Sequence, residues 1–95
     1  MKTFWMYVLQ CSDGSLYTGS TGELDRRVGD HQLGWVPATA RLRPVALVYS
    51  EEFPTREDAK RREQQLKRWS ASKKLALILG NFARLSSLAR GHDRG

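Results

Sequence analysis

Three groups of residues in this chain could do chemistry. Arg27 and His31 stand four apart in "ELDRRVGDHQ", so a helix there stacks them on one side, next to a Leu24/Val28 stripe. Arginine presents a planar fork suited to a phosphate, and histidine can donate, accept or carry a proton near neutral pH. The plainer alternative is a solvated basic face ending in a helix-terminal histidine. The second group is a single carboxylate, Glu63, in the run from Arg56 to about Trp69. Ala59, Leu66 and Trp69 mark that helix's inward face, and Glu63 falls four after Ala59 and three before Leu66. A carboxylate therefore sits on the inward stripe, while Lys60, Arg61 and Lys67 can point elsewhere. If buried, it needs a cation, a metal or several donors. If it lies at the stripe's edge, it reaches water or bridges to Arg62 or Lys67.

The third group is Tyr7 and Tyr17, on the two arms of a hairpin whose turn is Ser12-Asp13-Gly14. A two-residue loop at Asp13-Gly14 pairs Cys11 with Leu16 and puts the tyrosines on opposite faces. A three-residue loop, with Gly14 in the left-handed bulge position, pairs Cys11 with Ser15 and Leu9 with Tyr17. Tyr7 and Tyr17 then lie diagonally on one face, within reach of a common site. Otherwise each is an amphipathic core tyrosine with a satisfied hydroxyl.

These groups hang on a simple order of elements. "FWMYVLQC", Phe4 to Cys11, reads as a mostly buried strand, and Leu16-Tyr17-Thr18 resumes the β pattern after the turn. A short helix follows, ending near Gly34, with Pro37 in the loop beyond. "VALVY", Val45 to Tyr49, reads as a third strand buried on both faces or nearly so. Thr55, with an acid three positions on in "TRED", caps the helix that carries Glu63, and Ser70 or Ser72 can cap a last one. The expected fold class is α+β: a small three-stranded antiparallel sheet flanked by helices, in the order β-β-α-β-α-α.

The chain's 95 residues suffice for one domain, expected over 1–83, with 84–95 as helix end and frayed tail. Sixteen Lys and Arg against ten Asp and Glu give a net charge of +6, which favours a polyanionic partner or serves solubility alone. The lone Cys11 can form no disulfide within the chain, and no run has the length of a membrane span or the form of a signal peptide. A cytoplasmic protein is expected.

"MYV" at Met6 to Val8, "YTG" at Tyr17 to Gly19, an Arg ten residues after the second tyrosine, a His four later and a Glu in a distant helix together resemble the GIY-YIG endonuclease superfamily. The likeness runs from about Phe4 to about Leu79 and is closest to the small stand-alone bacterial members called URI-type. It implies a metal-dependent endonuclease that hydrolyses phosphodiester bonds in DNA, as in repair or recombination of structured DNA. A catalytically weak or inactive nucleic-acid-binding module of the same fold is the alternative. Carried over, Tyr7 and Tyr17 are the tyrosines of the two motifs, Arg27 the scissile-phosphate contact, His31 an assisting group and Glu63 the holder of one Mg²⁺ or Mn²⁺. Tyr7 is favoured as general base, with Tyr17 and His31 assisting through hydrogen bonds. Trp5 stands where the family has its first glycine, and no asparagine follows Glu63 at the family's usual spacing; Asn81 comes later.

Arg26, Arg41, Arg43, Lys60, Arg62, Lys67 and Lys73 are the candidate nucleic-acid contacts. Trp35 either stacks on an exposed strand or caps the edge of the core. DNA is the expected partner, with RNA left open and no membrane. A partner protein or a homodimer would supply the specificity that attached domains give other members.

Overall fold

The computed structural model describes residues 2–89. The elements are β1 (Phe4–Gln10), β2 (Leu16–Thr21), α1 (Leu24–Gln32), a short 3-10 turn (Ala40–Leu42), β3 (Ala46–Phe53), α2 (Arg56–Lys67) and α3 (Ala71–Ala89). The order is the one expected. The frayed tail expected at the very end, 90–95, lies outside the described residues.

The sheet is antiparallel with strand order β2-β1-β3, so β1 is central. Its segment Met6–Leu9 is fully buried because both faces are covered. On one face Tyr7, Leu9, Cys11 and Val45 pack against Tyr17, Leu24, Val28 and Leu42, which brings α1 down. On the other, Met6, Val8 and Leu66 pack with Val48, Tyr49, Trp69, Leu77 and Ile78, the cover supplied by α2 and α3.

The third strand departs from its expectation. β3 runs on through Ser50, Glu51 and Glu52 to Phe53, and it is an edge strand with Ala46 and Leu47 exposed rather than one buried on both faces. Only one strand of three can be central, and β1 has that place. Glu51 lies opposite Met6 on the α2 face, where Arg62 grips it through Nε and Nη2 at 2.9 and 3.1 Å. That ion pair lets an acidic run continue as strand.

The hairpin takes the three-residue loop. Cys11 N–H donates to Ser15 O, Gly14 sits at φ +88°, and Leu9 pairs with Tyr17. The Thr55 hydroxyl caps α2 by accepting from Asp58 N–H, while the Asp58 carboxylate pairs with Arg61 instead of returning to the cap. Ser70 Oγ accepts from Lys73 N–H and so caps α3.

Gly14→Ala should destabilise the fold by about 1–2 kcal/mol, because a Cβ disfavours the left-handed backbone even where space is free. Urea unfolding of this variant beside Gly29→Ala in α1, where an added methyl meets nothing within 4 Å, separates the backbone effect from packing; Gly29→Ala should be neutral to stabilising.

Candidate active site

The hairpin register fixes the first half of the site. Tyr7 and Tyr17 share the α1 face with ring centroids 6.4 Å apart. Tyr7 lies opposite Gly19 across the strands, and a Cβ on Gly19 would come within 2.5 Å of the Tyr7 hydroxyl. The missing side chain lets the phenol lie across β2 and carry its hydroxyl toward the sheet's edge.

From α1, Leu24 and Val28 pack on the sheet, which turns Arg27 and His31 toward the tyrosines. His31 is wholly buried, with its ring 5.8 Å from that of Tyr7 and 5.0 Å from that of Tyr17. Its Nε2 meets the Tyr7 hydroxyl at 3.0 Å and its Nδ1 meets Thr39 Oγ1 at 2.7 Å. Burial, with the charge of Arg27, holds His31 below its ordinary pKa against the opposing pull of Asp30, so the imidazole is neutral at pH 7. One ring nitrogen then donates and the other accepts. Burial pushes the Tyr7 phenol up to about 12, although the Arg27 guanidinium facing it pulls the other way. At neutral pH Tyr7 therefore keeps its proton, and the neighbour fit to take that proton is His31.

Glu63 reaches the same edge from the opposite face of the sheet. It is buried, as its place on the inward stripe requires, and both carboxylate oxygens are engaged: Ser20 Oγ donates to Oε1 at 2.7 Å, and Lys67 Nζ meets Oε2 at 2.7 Å. Of the alternatives the spacing left open for Lys67, the bridge to Glu63 is the one formed, with the carboxylate buried rather than at the stripe's edge. Burial pushes the Glu63 pKa up, but hydrogen bonds from Lys67 and Ser20 and the charges of Lys67 and Lys60 outweigh it and hold the group below its ordinary value. Glu63 in turn raises the Tyr7 phenol, and Lys67 interacts with Tyr17, so the two halves act on each other across β2.

Among the described residues no three His, Cys, Asp or Glu converge on a metal position. One buried carboxylate beside a serine hydroxyl suits a hard cation that keeps most of its waters, as Mg²⁺ does, and not a zinc-type ligand set.

The basic residues divide by position. Arg26 and Arg27 line a cavity of about 290 Å³ together with Lys2, Thr21 and Arg56. Lys60 lines an adjoining cavity of about 160 Å³ with Phe4, Ser20 and Arg56. Arg62 stacks on Trp69 besides gripping Glu51, and Lys73 lies over the same ring, so both sit away from these cavities. Arg41 and Arg43 are exposed around the 3-10 turn, where Arg43 Nε donates to Ala40 O. Trp35 is 71% exposed and caps no core.

Four participants escaped the sequence. Ser20 sits on the face of β2 opposite Tyr17, readable by strand alternation once α2 is known to cover that face. Thr39, Lys2 and Arg56 carry no periodic signal, because loop folding and helix docking bring them in.

Because His31 is buried and neutral, the unfolded chain binds its proton first as pH falls. Its contribution to stability is intact above about pH 6.5 and is lost as pH drops through the lower folded value. Thermal melts from pH 7.5 to 5 should show a steeper fall in Tm for wild type than for His31→Gln; parallel profiles would contradict the assignment.

Over residues 3–76 the chain matches the family described as the GIY-YIG catalytic domain. It is 40% identical over 79 residues to UPF0213 proteins of Staphylococcus saprophyticus and Staphylococcus aureus, a match spanning 82% of this chain and 96% of theirs. Among solved structures, the solution NMR structure of a UPF0213 protein from Bacillus halodurans is 40% identical with a TM-score of 0.53, covering 80% of this chain and 82% of that one. That of a protein from E. faecalis is 36% identical with a TM-score of 0.58, covering 87% and 88%. The chain belongs to the GIY-YIG family, as a relative of the small bacterial UPF0213 proteins.

Proposed function

We propose that this GIY-YIG domain is a metal-dependent endonuclease acting on DNA. The observation that carries the reading is the meeting of Arg27, the Tyr7–His31 pair and Glu63 at the edge of β2, from both faces of the sheet.

Arg27 holds the phosphate to be cut and neutralises charge growing on its non-bridging oxygens, the electrostatic effect that usually dominates such reactions. Glu63, with Ser20 at its side, would hold one Mg²⁺ or Mn²⁺, whose chemistry when bound would be to polarise the phosphate and stabilise the leaving oxygen. With its pKa near 12, Tyr7 acts as a relay more readily than as a standing phenolate. It takes a proton from the attacking water as its own passes to His31 Nε2, and Thr39 steadies the ring through Nδ1. The water oxygen bonds to phosphorus as the ester bond breaks, the leaving oxygen departs as an alkoxide that takes a proton from solvent, and the proton from the attacking water passes through Tyr7 to His31.

Lys2, Arg26, Arg56 and Lys60 line the cavities that continue from Arg27 past Ser20, and they form the track for neighbouring phosphates. Arg62 and Lys73 are left out of that track because their side chains brace Trp69. No described helix is long and apolar enough to cross a membrane, and the setting proposed is the cytoplasm.

Nicking of plasmid, branched and single-stranded DNA with Mg²⁺ or Mn²⁺ tests the reading. Glu63→Ala and Arg27→Ala should each lower the cleavage rate by about a hundredfold or more while binding persists. Arg26→Ala should retain cleavage with weaker binding and a shallower salt dependence, because one phosphate contact is lost. Salt-sensitive binding without cleavage of any substrate would overturn the enzyme reading and leave a binding module.

A further inference from the structure

Lys67 is the one residue whose position conflicts with the proposed work of Glu63. The carboxylate is only 7% exposed, and one of its two oxygens is taken by the Lys67 ammonium at 2.7 Å. Ser20 holds the other as a neutral hydroxyl donor. An uncharged hydroxyl can stay beside an arriving cation or turn its oxygen to it. An ammonium cannot: two cations on one shielded carboxylate repel strongly.

We propose that Lys67 is a built-in competitor for the metal position, holding the charge of Glu63 when the cation is absent and giving it up when the cation binds. The inference rests on the reading of Glu63 as the metal-holding residue. Three features favour such an exchange. The Lys67 side chain is 45% exposed, so it can swing from Glu63 into solvent at little cost. Lysine is a compact charge on a flexible stem, unlike Arg62, whose guanidinium is fixed on Glu51, Gln65 and Trp69. And Glu63 belongs to no metal-competent cluster of three among the described residues, so a competing charge on it weighs heavily. Lys67 also lies in electrostatic reach of Tyr17, in the other half of the site.

The test is Mn²⁺ binding to the DNA-free protein, followed by the EPR signal of free Mn²⁺ in wild type, Lys67→Met, Lys67→Arg and Glu63→Gln. Lys67→Met should bind Mn²⁺ about five- to tenfold more tightly than wild type, since tenfold corresponds to about 1.4 kcal/mol. Lys67→Arg should stay close to wild type. Unchanged or weaker binding in Lys67→Met overturns the inference, as does an absence of Mn²⁺ uptake in wild type and Lys67→Met alike. Glu63→Gln reports on the underlying reading: if it binds as well as wild type, the metal is not at Glu63 and both fail. If Glu63→Gln alone loses binding and Lys67→Met is unchanged, only the role of Lys67 falls. Should Lys67→Met unfold, wild type decides. Its Lys67 ammonium protons, seen in ¹⁵N-edited NMR while the salt bridge protects them and assigned by their loss in Lys67→Arg, should fade as Mg²⁺ is added; if they persist at saturating Mg²⁺, the exchange does not occur.

Discussion

Everything in this domain follows from having to bury β1 on both faces. Met6, Tyr7, Val8 and Leu9 are all inaccessible, and alternation sends Tyr7 and Leu9 to one side and Met6 and Val8 to the other. A three-stranded sheet has no third layer of its own, so α1 covers the first face, and α2 with α3 the second. Function inherits that division. The groups proposed to handle protons and phosphate arrive from the α1 side, and the carboxylate arrives from the α2 side. They can meet only at an edge, and β2 is the edge that offers Gly19, where the Tyr7 phenol crosses the strand.

The edge site solves an electrostatic problem. A buried glutamate, a buried neutral histidine and a buried phenol would each be costly alone. Here each satisfies a neighbour: Ser20 and Lys67 hold Glu63, Thr39 and Tyr7 hold His31, and Arg27 faces Tyr7. The resulting arrangement is charged at Glu63 and Arg27 and neutral at His31 and Tyr7. That pattern suits a reaction which must receive a phosphate on one side and a proton on the other.

Helical spacing was enough to put Glu63 on an inward face and Arg27 with His31 on one side of α1, because three- and four-residue intervals are local geometry. The tyrosines were legible only up to a choice of two registers, and Gly14 in the left-handed conformation makes that choice. Thr39 was not legible, since a loop's return path is set by what it packs on and not by its own period. Nor was Glu51, whose place in β3 depends on Arg62 from a helix eleven residues on. Lys67 was legible only as one of two alternatives: a lysine one turn after a glutamate can turn to water or turn back, and the burial of Glu63 decides for the latter.

If groups on opposite faces of the sheet serve one site at the edge of β2, a metal ion held there is sensed from both faces. The most direct measurement is paramagnetic broadening of backbone amide signals by substoichiometric Mn²⁺ in the ¹H–¹⁵N spectrum of the wild-type protein. Signals of Ser20, Glu63 and Lys67 should broaden first and those of Gly19, Tyr17 and Arg27 should follow. Broadening centred instead on Glu57 and Asp58 at the start of α2, with Ser20 and Glu63 untouched, would contradict a shared site.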